Sequence, residues 1–171
     1  MIMTIIFAIA FILSFLSYTI HTITHALEFR DREVPKFVDK YFHTIVHFGY
    51  LAWIIMLFTD PVRFDVPLYM IVIGIIIGTL GLITVLSAMK ARKAGGGKLV
   101  TTGVYSKFRH PMYIGMTLIY LGYPLATGSL LTLLSAIIWI SQMIIWKYWE
   151  ETELELQFGE DYKLYKIRTI F

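Results

Sequence analysis

Gly103-Val-Tyr105-Ser-Lys-Phe-Arg109-His110-Pro111-Met-Tyr113-Ile-Gly115 leads into an apolar run that turns near Pro124 and Gly128, returns through Leu130 to Trp149 and ends on Glu150-Glu151. A basic dipeptide at the mouth of one apolar helix and an acidic pair at the mouth of the next are costly beside lipid, so they need a functional reason. The turn between them carries no charge, which puts both open ends of this hairpin on one side. Pro111 suits the first turn of a helix, where its missing N–H does no harm.

Upstream, three further apolar runs appear. Met1 to about Ile23 is long enough for a hydrocarbon core needing roughly 20 helical residues, and it reads as a retained span rather than a signal peptide, having no basic start and no small-residue cleavage site. Tyr41 to Phe58 and Leu68 to Met89 make the second and third spans, separated by the turn Thr59 to Pro67. Gly74, Gly78 and Gly81 lie on or near one face of the third, where missing side chains let a neighbouring helix come close. Tyr113 to Tyr123 is about half a crossing at ~1.5 Å per residue, so the fourth helix is short or re-entrant unless it extends through Pro111 and Ala126. The expected fold is therefore an all-α integral membrane protein of about five helices, three spans plus the C-terminal hairpin. An amphipathic tail from Glu150 to Phe171 folds back over the open side. Residues 1–171 form one domain, with the three spans in 1–89 and the loop, hairpin and tail in 90–171.

Composition agrees. Of 171 residues, 57% are hydrophobic and 16% charged, which excludes an ordinary water-soluble domain. Cysteine is absent, so disulfides, thiolate metal sites and cysteine nucleophiles are excluded. The net charge of +3 comes from loops: four Lys or Arg follow the first span, six lie between Lys90 and Arg109, and four belong to the tail and the helix end before it. Arg63 alone is left for the other side. That asymmetry predicts an outside N-terminus and a cytoplasmic C-terminus, and it makes nucleic acid an unneeded partner.

Glu150 and Glu151 close an apolar helix at its C-terminal end, where negative charge opposes the helix dipole and neighbouring carboxylates repel. A nearby cation makes the placement favourable, either Arg109 or a bound cationic cofactor. Tyr105, Tyr113, Phe158, Tyr162 and Tyr165 form an interfacial aromatic belt by default, but the same faces can wall a site for a flat ring and a cation. His21 with His25, and His43 with His47, are i, i+4 pairs able to share a metal; lipid headgroups and carbonyls are the plainer partners. Gly95-Gly-Gly-Lys98 follows no strand and reads as a hinge rather than a phosphate loop.

The pattern Gly-x-Tyr-x-x-x-Arg-His-Pro-x-Tyr-x-Gly, a hydrophobic hairpin, then Glu-Glu-x-x-Leu and Phe-Gly-x-x-Tyr-x-x-Tyr resembles the isoprenylcysteine carboxyl methyltransferases and the related membrane phospholipid methyltransferases. The resemblance covers Leu99 to Arg168. It implies an S-adenosylmethionine site, with S-adenosylhomocysteine as product, closed by the hairpin, the preceding loop and the tail. By it, Leu99, Val100, Gly103, Tyr105, His110, Pro111, Tyr113 and Gly115 line the cofactor together with Phe158, Tyr162 and Tyr165. Glu150 helps hold it, and Arg109 and Glu151 face the reacting groups as catalytic residues. The chain departs from the family in ending Arg168-Thr-Ile where Arg-Val-Pro is common.

The acceptor implied first is a prenylcysteine-like carboxylate entering from the bilayer, with Arg109 gripping it through a two-pronged contact. A phospholipid amine or a small thiol stands behind it, and Glu151 would then serve as general base. Membrane sterol reductases, which bind NADPH, also carry an Arg-His dipeptide before a short helix, but they usually have Asn where Met112 stands. A non-enzymatic metal-binding protein built on His21, His25, His43 and His47 is the remaining alternative. The oligomeric state is not fixed by the sequence.

Overall fold

The computed structural model describes residues 1–30 and 32–171. Asp31, in the polar loop after the first span, lies outside them. Among the described residues six α-helices follow one another: α1 (Ile2–Phe29), α2 (Lys36–Thr59), α3 (Leu68–Gly95), α4 (Pro111–Thr127), α5 (Leu130–Phe158) and α6 (Glu160–Arg168). A single 3-10 turn, Gly103–Ser106, interrupts the linker between α3 and α4. Among the described residues there is no strand, and four helices, α1, α2, α3 and α5, are long and apolar enough to cross a membrane. The fourth helix does extend through Pro111 and Ala126; at 17 residues it is about 25 Å long at ~1.5 Å per residue.

The helices outrun the apolar stretches that announce them. Past Met89, the residues Lys90 to Lys93 are good helix formers, and α3 stops only where Gly96 adopts a left-handed conformation (φ 58°). Past Trp149, the run Glu150 to Phe158 is rich in Glu, Leu and Gln, and α5 continues to Gly159. This corrects the expected end of the hairpin helix at Trp149. Glu150 and Glu151 are not at a C-terminus, so the helix-dipole argument for a compensating cation does not apply, and the tail proper is α6.

Large apolar side chains point outward, Ile5, Ile9, Ile12 and Leu16 on α1 and Ile73, Ile76, Leu80 and Ile83 on α3. The interior instead holds small residues and aromatics: Ala10, Ser14, Ser17, Gly49 and Ala52 between α1 and α2, and Tyr18, Trp53, Tyr120 and Trp139 at the centre. Such inversion suits lipid as solvent, where close backbone approach replaces water-driven burial. The three glycines of α3 meet α4 as expected. A Cβ at Gly81 would sit 2.5 Å from the Gly115 carbonyl, and one at Gly74 would sit 2.6 Å from the Ala126 amide.

At the end of the bundle away from the linker, the α2–α3 loop and the α4–α5 turn interlock. Phe64 donates its amide to Gly128 O (3.0 Å), and Leu130 donates to Val62 O (3.0 Å). Asp60, buried, accepts from the Thr132 amide (2.8 Å) and hydroxyl (2.9 Å), so it caps the N-terminus of α5 from the residue that follows α2. Arg63 donates to Leu57 O and Thr127 O (both 2.9 Å), closing the C-termini of α2 and α4. The remaining fourteen Lys and Arg belong to the opposite end.

Overpacking of close backbone contacts costs about 1–3 kcal/mol. Gly81→Val is therefore expected to lower the thermal unfolding midpoint in detergent and to loosen α3 from α4. An unchanged midpoint would show that the seam does not hold the bundle.

Candidate active site

Adjacent residues on a helix point about 100° apart, so Glu150 and Glu151 face different surroundings although they are neighbours. His110, at the N-terminus of α4, bridges them: Nδ1 lies 3.3 Å from Glu150 Oε2 and Nε2 3.2 Å from Glu151 Oε1. The imidazole is buried, and the ring of Tyr113, one turn on, is parallel to it at 5.4 Å.

Glu151 is the hub of the structural side. Its carboxylate accepts from Arg109 Nε (3.1 Å), pairs with Lys166 Nζ (3.0 Å) and lies 3.9 Å from Lys147. Arg109 also donates through Nη1 to Lys166 O (3.0 Å) and Thr169 O (2.5 Å), so its guanidinium finishes the C-terminus of α6. Lys166 makes a second pair with Glu155 (2.8 Å), and these acceptors raise its pKa, Glu155 more than Glu151. Residues 107–110 complete the docking by backbone: Ile170 donates to Lys107 O, and Arg109 and His110 donate to Phe171 O. Tyr165 donates to Tyr105 O (2.7 Å); burial above all, with the Tyr105 phenol beside it, pushes its own phenol up to about 12.

Two cavities meet here. The outer one, about 400 Å³, lies between the linker, α5 and α6, with Lys98, Leu99, Val100, Phe158, Tyr162 and Tyr165 on its wall. The inner one, about 340 Å³, reaches into the bundle among Tyr18, His21, Tyr50, Met116, Met143 and Trp146. Arg92, Tyr105, Arg109 and Glu150 border both. Each volume is in the range of small-molecule sites, roughly 300–1,000 Å³. The Tyr162 hydroxyl, on the outer wall, is buried with no hydrogen-bond partner.

Most of the residues singled out in the sequence converge on this junction. Leu99, Val100, Phe158, Tyr162 and Tyr165 border the outer cavity, His110 and Tyr113 the inner one, and Tyr105, Arg109 and Glu150 both. Gly103, Pro111, Gly115 and Glu151 border neither. Gly103 takes φ 63° at the 3-10 turn, Pro111 is buried at the first turn of α4, and Gly115 faces the Gly81 carbonyl of α3. Sequence reasoning missed Arg92, counted only as a loop cation, and the whole inner wall from α1 and α2. A signal was present in His21, which falls on the same face of α1 as Tyr18 and His25 at helical spacing. The four histidines do not converge: His21 and His25 touch each other (Nε2 to Nε2, 3.0 Å), while His47 Nδ1 turns to His43 O. Among the described residues no three His, Asp or Glu side chains are grouped to hold a metal.

Each hydrogen bond to a charged group contributes about 1.5–3 kcal/mol. Arg109→Lys, which cannot reproduce three donors in one plane, is expected to release α6 and expose the chain near Gly159 to limited proteolysis. A tail as protected as in the unmutated chain would show that Arg109 does not hold it.

Comparison with curated proteins gives no match, and neither does comparison with solved structures. A family model, phospholipid methyltransferase, matches residues 69–161, which is α3, the linker, α4, α5 and the start of α6. That is more than half of the chain, and it contains the bridged glutamates, His110 and the walls that the two cavities share. The chain belongs to the phospholipid methyltransferase family, a group of membrane methyltransferases.

Proposed function

We propose that the protein transfers a methyl group from S-adenosylmethionine to the polar end of a lipophilic acceptor, within one domain spanning residues 1–171. The observation that carries this reading is the meeting of two cavities at Glu150, one toward the polar end of the bundle and one inside it. Two reactants of opposite polarity would thereby be brought end to end. Holding them in line supplies much of the acceleration for a displacement that needs few other groups.

The outer cavity fits the cofactor. Leu99, Val100 and Phe158 offer apolar surface to a flat base, Lys98 offers charge to a carboxylate, and Glu150 with the unpartnered Tyr162 hydroxyl offers polar contacts to ammonium or hydroxyl groups. When bound, S-adenosylmethionine supplies an electrophilic methyl on a sulfonium, which the faces of Tyr105 and Tyr165 attract. His110 holds Glu150 in orientation toward this space, and α6 excludes water from above.

The inner cavity suits the acceptor. Its aromatic and methionine wall accepts lipid-like matter, and Glu150 and Arg92 stand at its mouth. A prenylcysteine-like carboxylate needs a guanidinium to orient it. With Arg109 committed to Glu151 and α6, Arg92 is the cation available at the junction for that purpose. Membrane lipids would surround five crossing helices, with α4 as the fifth, and the positive end would face the cytoplasm.

Losing a polar contact to a bound ligand costs about 1–3 kcal/mol, or roughly 5- to 150-fold in affinity. Glu150→Gln and His110→Ala are each expected to weaken adenosylhomocysteine binding in calorimetry by a factor in that range. Unchanged affinity in both would move the cofactor away from the outer cavity.

A further inference from the structure

Arg109 and Glu151 account for the inner face of α6, and its outer face has no part in the reading above. Tyr162, Tyr165 and Thr169 are buried, whereas Leu164 is 52% exposed, Ile167 82% and Ile170 65%. Apolar side chains exposed singly are ordinary on a water-facing surface. Here they recur at every third position through the second half of a nine-residue helix and the turn after it, so they form a strip.

The place of the strip decides what covers it. Its end is fastened beside the start of α4: the Ile170 amide donates to Lys107 O, and the Arg109 and His110 amides donate to Phe171 O. On α5 the same level is marked by Lys147, whose Nζ stands 4.5 Å from the centre of the Phe171 ring. Ile144, one turn deeper on α5, is exposed, as are Ile145 and Tyr148. The strip thus begins where the outward apolar surface of the bundle ends, and it continues that surface. Charge is arranged to match. Glu160 and Asp161 lie in the first turn of α6, Lys166 and Arg168 in the last. Lys166 is engaged by Glu151 and Glu155, and Lys163 by Glu160. Arg168 and Lys107, both exposed, flank the strip at its C-terminal end.

We infer that the outer face of α6, continued by Ile170, is a membrane-surface contact. Leu164, Ile167 and Ile170 enter the headgroup and acyl boundary of the leaflet at the linker end, and Arg168 and Lys107 meet the phosphates of anionic lipids. Apolar area and anionic headgroups together hold a segment of this kind in the plane of the interface. Three or four side chains fall far short of the roughly 800 Å² per partner of a stable protein interface. A lipid surface sets no such minimum, so a leaflet fits the strip better than a second copy. The helix is then held from two sides, by Glu151 and Arg109 on the bundle and by lipid outside it. An uncharged detergent micelle supplies no phosphate for the outer hold, so α6 sits more firmly over the outer cavity in an anionic bilayer.

The test uses the full chain in lipid nanodiscs. Because the chain has no cysteine, Ile167→Cys takes a bimane label at one site. Met89→Cys, exposed where the third apolar run ends, is the lipid reference, and Lys93→Cys, exposed one turn further on, the water reference. At position 167, phosphatidylcholine spin-labelled high on its acyl chain should quench the label as it does at 89, and aqueous iodide should quench it less than at 93. Near an anionic surface each basic residue contributes about a fivefold preference. Replacing phosphatidylglycerol in the discs by phosphatidylcholine should therefore speed proteolysis near Gly159 roughly 5- to 30-fold. Ile167→Glu should also speed it in the anionic discs, with no effect in uncharged micelles and an unchanged melting midpoint. Three results overturn the inference: a label at 167 reached by iodide and not by the spin-labelled lipid, a label sheltered from both, which would put a second protein on the strip, or equal cleavage of the Ile167→Glu and unmutated chains in anionic discs. None of these measurements involves the cofactor, so they stand whether or not the chain transfers a methyl group.

Discussion

One imidazole between two neighbouring carboxylates is the constraint on which the rest turns. His110 reaches Glu150 with one nitrogen and Glu151 with the other, and only the protonated ring donates to both at once. Because α5 turns its adjacent residues to different sides, this bridge ties together two regions with separate tasks. On one side, Glu151 gathers Arg109 and Lys166 and so fixes α6 over the bundle. On the other, Glu150 is left facing both cavities. A single glutamate could not do both, since the charge that anchors α6 would be consumed by its anchors. The duplication, costly for an isolated helix, becomes favourable once four basic side chains are counted around it.

The two ends of the bundle spend their polar groups differently. At the end away from the linker, Asp60, Arg63, Ser129 and Thr132 satisfy helix termini and one another. The backbone has no other source of partners in lipid. At the linker end, excess charge accumulates beyond what capping requires, and cavities open among it. The glycine seam brings the backbones of α3 and α4 into contact. The linker can therefore deviate only after Gly95, where the glycines with positive φ lie.

Much of this was readable in the residues. The four apolar helices, the chargeless turn and the glycine face of α3 follow from composition and period. The aromatic set of the tail also assembles where Tyr105 does, because Tyr162 and Tyr165 share one helix face. What escaped the reading has physical causes. The continuation of α5 past Trp149 is governed by helix propensity in water, whereas hydropathy marks only where lipid ends. The contacts of Arg109 with Glu151 and with carbonyls at the end of α6 are tertiary and have no local signature. Arg92 and the α1 wall were missed because they come from segments distant in the chain, and only packing brings them to the junction.

Asp60 bears on how far the family's shared segment can stand alone. The segment matched by the family begins at residue 69, yet the first turn of α5 finds its carboxylate upstream of that point, at the end of α2. The inner cavity likewise borrows Tyr18, His21 and Tyr50 from α1 and α2. In this chain the shared segment is thus not a module to which an independent pair of helices has been appended. The wall of the inner cavity and the capping of the common core are supplied by the same two helices, so one cannot be exchanged without disturbing the other.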